Sequence, residues 1–105
     1  MSTLQRLLKN RPLKTGSVAI DGETYHVHEL SARQRDVIAN LFRGDTKDIM
    51  RINAVIACMG TEGLTESDAD GLTEGAAEMI LALSQQVLAL SGMGDEAVDD
   101  AKPNS

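Results

Sequence analysis

At 105 residues, with a single cysteine and 42% hydrophobic residues, the chain has room for one core and excludes an internal disulfide framework. Its net charge of -6 is divided unevenly: nine Lys/Arg face six Asp/Glu in residues 1 to 60, net +3, and one Lys faces ten acids in residues 61 to 105, net -9. Arg6, Lys9, Arg11 and Lys14 form only a modest basic patch with no aromatics between them, which argues against nucleic acid as a partner, and no apolar run approaches the roughly 20 residues of a membrane span.

Taken in chain order, residues 3 to 9 put Leu4, Leu7 and Leu8 on one side of a short helix closed by Asn10 and Pro12. Under three turns long, such a helix is not stable alone, so its leucines are expected to dock on something. Asp21-Gly22 between two short runs with β-branched and aromatic residues predicts a tight hairpin over about residues 16 to 30, because Gly supplies positive φ without strain. Alternation on the second strand places Tyr25 and Val27 on one face, and His26 and His28 on the other.

Ser31-Ala32-Arg33-Gln34 matches the capping box of a helix start. Behind it Val37, Ile38, Leu41 and Phe42 fall at helical spacing, and Gly44 is expected to supply a left-handed stop. A second helix is expected from Asp45 or Thr46 to Gly60, with Ile49, Ile52, Val55, Ile56 and Met59 on its buried side. Thr61 to Gly71 reads as a loop with at most a short helical turn capped by Thr65 or Ser67, its acids placed where a helix dipole favours negative charge.

The last helix is expected from Thr73 or Gly75 to Ser91, ending at Gly92. Met79, Ile80, Leu83, Val87 and Leu90 form its core stripe, while Leu81 and Leu88 form a second apolar seam. That seam is either covered by Leu4, Leu7 and Leu8 or left as a groove or oligomer face. Beyond it, residues 93–105 are poor in apolar groups and rich in acids, and are expected to be a disordered acidic tail. The result is a mostly α chain with a small N-terminal β-hairpin, an α+β arrangement. A helical core of three main helices forms one domain over residues 1–92.

Chemistry-bearing patterns are sparse. His26 and His28 share a face, but a structural zinc site takes four ligands and a catalytic one three, and Cys58 sits in the apolar run Ala54 to Met59 as a small core residue. Gly-x-Ser-x-Gly is absent, and Ser17, Ser84 and Ser91 are accounted for by a strand, a helix surface and a cap. No phosphate loop with a following Lys-Ser/Thr is present, and Asp68-Ala69-Asp70-Gly71 lacks an EF-hand's glutamate at the twelfth position, where Met79 stands. Neither catalytic nor metal residues are expected, nor a cofactor.

The order of parts resembles the tail assembly chaperones of long-tailed bacteriophages. The similarity lies in a short leader, a Gly-turned hairpin, His28-Glu29-Leu30-Ser31 leading into a capped helix, the segment Cys58 to Asp70, and a final helix ending Leu90-Ser91-Gly92. The resemblance covers most of residues 13 to 93. It implies a non-catalytic protein in the cytoplasm of the bacterial host, absent from the mature virion. Such a protein coats the tape measure protein before tail-tube polymerisation, and a longer frameshifted form recruits tail-tube subunits. Leu4, Leu7, Leu8, Leu81 and Leu88 are the expected partner-binding residues. The alternative is a small oligomeric adaptor or regulatory protein that uses the same apolar seam for self-association.

Overall fold

The structure, a computed structural model, describes residues 2–44 and 48–93. Its elements are α1 (Thr3–Asn10), β1 (Thr15–Ile20), β2 (Glu23–His28), α2 (Ala32–Arg43), α3 (Ile49–Gly60), a single 3-10 turn (Glu66–Asp68), α4 (Ala69–Leu72) and α5 (Ala77–Leu90). It is mostly helical with one antiparallel hairpin, as the composition and turn signals imply. The expected helix start at Asp45 or Thr46, and the tail from Gly94 onward, lie outside the described residues.

The hairpin forms where the Asp-Gly pair predicts it. Ile20 pairs with Glu23, leaving a two-residue turn, and both Asp21 (φ 51°) and Gly22 (φ 85°) have positive φ. That combination matches the right-handed strand twist. One face of the hairpin, with Val18, Ile20 and Val27, packs against the core. Gly16 lets β1 approach α5 closely, since a β-carbon there would lie 3.2 Å from Gln86 Nε2 and 3.3 Å from Leu90 Cδ1.

Ser31 caps α2 as expected. Its hydroxyl accepts from the Gln34 N–H, and the Gln34 side chain accepts from the Ser31 N–H. Ser2 and Gln5 form the same box on α1, a Ser-x-x-Gln signal readable in the sequence. Gly44 is not a left-handed stop: its φ is -73° and its ψ 176°, so the chain leaves α2 extended. Asp48 caps α3, its carboxylate accepting from the Arg51 N–H.

Thr65 opens the turn after α3, where Asp68 accepts from its N–H at 2.8 Å. Helix α5 begins at Ala77, later than Thr73 or Gly75: the Thr73 and Gly75 N–H groups close α4 on the Ala69 and Leu72 carbonyls, and Ala76 is extended (φ -69°, ψ 136°) before the new helix starts. At its far end Gly92 takes φ 71°, and the Met93 N–H reaches the Leu88 carbonyl. The helix thus ends at Gly92 as expected, and it does so through a left-handed close.

The core is concentrated on two helices. Ile52, Ala54, Val55, Ile56, Ala57 and Cys58 of α3 meet Ile80, Leu83 and Val87 of α5, with Val27 and Leu30 from the hairpin side. Helix α2 contributes only Ile38 as a fully buried residue. The expectation of three main helices gives way to five α-helices among the described residues, with α3 and α5 dominant. Ile49 stays exposed, contrary to its assignment to the buried side of its helix, and Phe42, placed at helical spacing in α2, is exposed as well. Each sits near the end of its helix.

Polar groups lock these layers in register. Ser84, expected on a helix surface, is fully buried and donates to Asn53 Oδ1 of α3 at 2.9 Å. Ser91 is also buried; its hydroxyl donates to the Val87 carbonyl at 2.7 Å and accepts the Leu30 N–H at 2.8 Å. Arg35 donates to the Ser91 carbonyl and lies 3.6 Å from Glu29, whose carboxylate takes the Lys14 N–H at 2.8 Å. One clasp thus holds the hairpin exit, the start of α2 and the end of α5.

Tightest of all is Gly60, where a β-carbon would lie 2.4 and 2.6 Å from the Val87 methyls and 3.0 Å from the His28 carbonyl oxygen. Gly60→Ala is therefore expected to destabilise the fold by about 1–3 kcal/mol through overpacking, despite alanine's better helix propensity. A urea denaturation midpoint equal to the wild type's would contradict this. Ser91→Ala leaves the buried Leu30 amide without its acceptor and is expected to cost about 1–3 kcal/mol by the same measurement.

Candidate functional site

Two surfaces concentrate the residues singled out by sequence: the polar face of the hairpin and the leucine face of α1. On the hairpin, His26 pairs opposite Ser17 and His28 opposite Thr15, so these four side chains share a face by strand alternation. They line a broad open cavity of about 800 Å³, whose other wall is Met59 and the segment Thr61 to Leu64. That wall is fastened to β2 by a bridge between Val27 and Thr61, and by the Glu62 N–H donating to the His26 carbonyl at 2.9 Å.

His28 is half-buried. Its Nδ1 lies 2.7 Å from the Glu29 carbonyl, and because a carbonyl can only accept, Nδ1 carries the proton. His26 is exposed. The expected sharing of a face holds, and among the described residues no group of three or more His, Cys, Asp or Glu is placed to hold a metal ion. Thr61 Oγ1 is buried and has no hydrogen-bond partner among the described residues, a feature that no sequence pattern announces.

Cys58 is a core residue, as its apolar run implies, with 1% of its surface exposed. Burial pushes its thiol pKa up, and the Asp68 carboxylate adds to the shift, so the nucleophilic thiolate is disfavoured. On the opposite hairpin face, the Tyr25 hydroxyl donates to Glu23 at 2.9 Å. This bond, with the charge of the Glu23 carboxylate, raises the Tyr25 pKa above its ordinary value.

Helix α1 behaves differently from the rest of the chain. Ser2 caps it and the Arg11 N–H bonds back to the Leu7 carbonyl, yet none of its residues is buried. Leu4, Leu7 and Leu8 are 65%, 60% and 65% exposed. These leucines were expected to dock on something, either by covering Leu81 and Leu88 or as part of a partner-binding face; within the chain they stay uncovered. Three leucines on one arc of a two-turn helix are a contiguous apolar patch, which a folded surface seldom leaves without a use.

The structure separates Leu81 and Leu88 in character. Both are half-buried, but Leu88 packs against the buried core as part of its edge. The seam is therefore no open groove, and α1 does not roof it. Of the five partner-binding candidates, the three of α1 form the accessible set. Amphipathic spacing identified that set; the exposure of its apolar side was not legible, because spacing says which residues share a face and not what covers it.

No protein-family model, curated protein or solved structure gives a significant match to the chain.

Because α1 contributes nothing buried, replacing Leu4, Leu7 and Leu8 together by Ser is expected to shift the global denaturation free energy by no more than about 0.5 kcal/mol. Ile80→Ala, by contrast, is expected to cost about 2–5 kcal/mol. Parallel urea titrations of the two variants provide the check, and a large loss in the triple variant would mean that α1 packs on the core in solution.

Proposed function

We propose that the chain is a non-catalytic contact protein, a phage tail assembly chaperone that binds and solubilises the tape measure protein before tail-tube polymerisation. The observation that carries this reading is the leucine face of α1, exposed while every other apolar helix stripe among the described residues is at least partly covered by the fold. The sequence features set in family-like order, from the hairpin through His28-Glu29-Leu30-Ser31 to the Leu90-Ser91-Gly92 finish, supply the identity of the client.

The physical logic runs from the client's needs. A long helical protein with apolar stripes aggregates unless those stripes are covered, and an amphipathic helix can cover them through leucines at helical spacing. A patch of three leucines binds weakly when alone, so one copy is easily displaced. Many copies along one client hold it together through multivalency. Leu4, Leu7 and Leu8 are the contact residues in this reading, with Leu81 on α5 as a secondary contact. Host cytoplasm is the place of action, and a longer frameshifted form would recruit tail-tube subunits.

The test is co-expression with a fragment of a tape measure protein that is insoluble by itself. The wild-type chain is expected to move the fragment into the soluble fraction and to co-elute with it in size-exclusion chromatography. The Leu4→Ser/Leu7→Ser/Leu8→Ser variant, folded by circular dichroism, is expected to leave most of the fragment insoluble. Equal rescue by wild type and variant would remove α1 as the binding surface, and no rescue by the wild type would end the chaperone reading.

A further inference from the structure

We propose that α1 is a surface anchor that lies in the plane of an anionic lipid bilayer, with Leu4, Leu7 and Leu8 sunk at the edge of the acyl chains. The inference goes beyond the chaperone reading and does not depend on it.

Around α1, Leu4, Leu7 and Leu8 span an arc of about 100°, and Arg6 and Lys9 both fall on the opposite side, about 150° from the centre of that arc. Arg11, Leu13 and Lys14 extend the composition past the helix end, so residues 2 to 14 hold four cations, four leucines and no acid. All of them are exposed. Among the described residues, none of the four cations forms an ion pair.

A protein partner lying along the leucines would leave Arg6 and Lys9 in water, on the far side of the helix. A bilayer interface engages both sides at once. An amphipathic helix settles with its apolar face about 5–10 Å into the boundary between headgroups and acyl chains, which brings its polar face among the phosphates. Leucine and cation on opposite sides, with no acid to be repelled, are what such a helix needs. At 8 residues, α1 is about 12 Å long and too short to cross a bilayer of about 30 Å, so it lies on the surface. Having no buried residue, it does so without disturbing the core.

The rest of the chain sets the orientation. Taking the four cations of residues 2 to 14 from the net charge of -6 leaves -10 on the remainder, which an anionic surface repels. The body is therefore held outward while α1 is held down, each cation near the surface raising the binding constant about fivefold. Client and bilayer then compete for the same three leucines.

Sedimentation of the full chain with sucrose-loaded vesicles tests the contact, using phosphatidylcholine alone or with about 30% phosphatidylglycerol. The wild type is expected to bind the anionic vesicles at least about tenfold more tightly than the neutral ones, and to lose that advantage at about 500 mM salt, where the Debye length falls below about 5 Å. Arg6→Gln/Lys9→Gln and Leu4→Ser/Leu7→Ser/Leu8→Ser, each folded by circular dichroism, are expected to weaken binding at least about tenfold. The chain has no tryptophan, so Leu7→Trp reports on depth, and its emission is expected to shift to the blue with anionic vesicles only. A wild type that does not bind, either multiple variant binding as well as the wild type, or an unshifted Leu7→Trp spectrum overturns the proposal. Rescue of the client fragment without vesicle binding removes the anchor alone; vesicle binding without rescue removes the chaperone reading alone.

Discussion

At Gly60 the last residue of α3 lies where a β-carbon would press on both Val87 methyls and on the His28 carbonyl. Three elements meet there: α3, the last turn of α5 and the exit of the hairpin. With no side chain in the way, α3 and α5 come close enough for Ile56, Ile80, Leu83 and Val87 to bury completely or nearly so. The burial of each such aliphatic side chain contributes about 1.5–3 kcal/mol. In a chain of 105 residues with few aromatics, that close approach replaces the bulk that Phe or Trp would otherwise provide.

Apolar contact sets proximity but not register, and buried hydroxyls do the rest. Ser84 aligns α5 against Asn53 of α3, and Ser91 holds the Leu30 amide while Arg35 grips the carbonyl of the same serine. These bonds are directional and sit where water is excluded, so a shift of one helical residue would leave several polar groups unpaired. They also fix how the hairpin leaves the core, which sets the polar face of His26 and His28 beside the Thr61 to Leu64 wall.

What lies outside this frame is as informative as what lies within it. Helix α1 has a complete capping box and a leucine face, the ingredients of a packed helix, but no buried residue. Its stability cannot come from the core that α3 and α5 build, and a two-turn helix is marginal alone. A short helix of this kind gains stability when its apolar side is covered, and the proposed function rests on that uncovered side.

Local chemistry made much of this legible. The Asp21-Gly22 turn, the Ser31 box, the helix end at Gly92, the strand alternation of the two histidines and the buried Cys58 each follow from short-range rules acting within a few residues. The same rules misplaced Gly44, which ends its helix extended, and set α5 to start too early, where α4 closes and Ala76 is extended. Ile49 and Ser84 exchanged their expected environments for a related reason: helical periodicity ranks the faces of a helix, but burial depends on which neighbour arrives. The sequence by itself determined the elements, their turns and the amphipathic character of α1. Only the tertiary structure decided that α3 and α5 form the core and that Leu4, Leu7 and Leu8 are left uncovered, since long-range packing cannot be read from spacing along one chain.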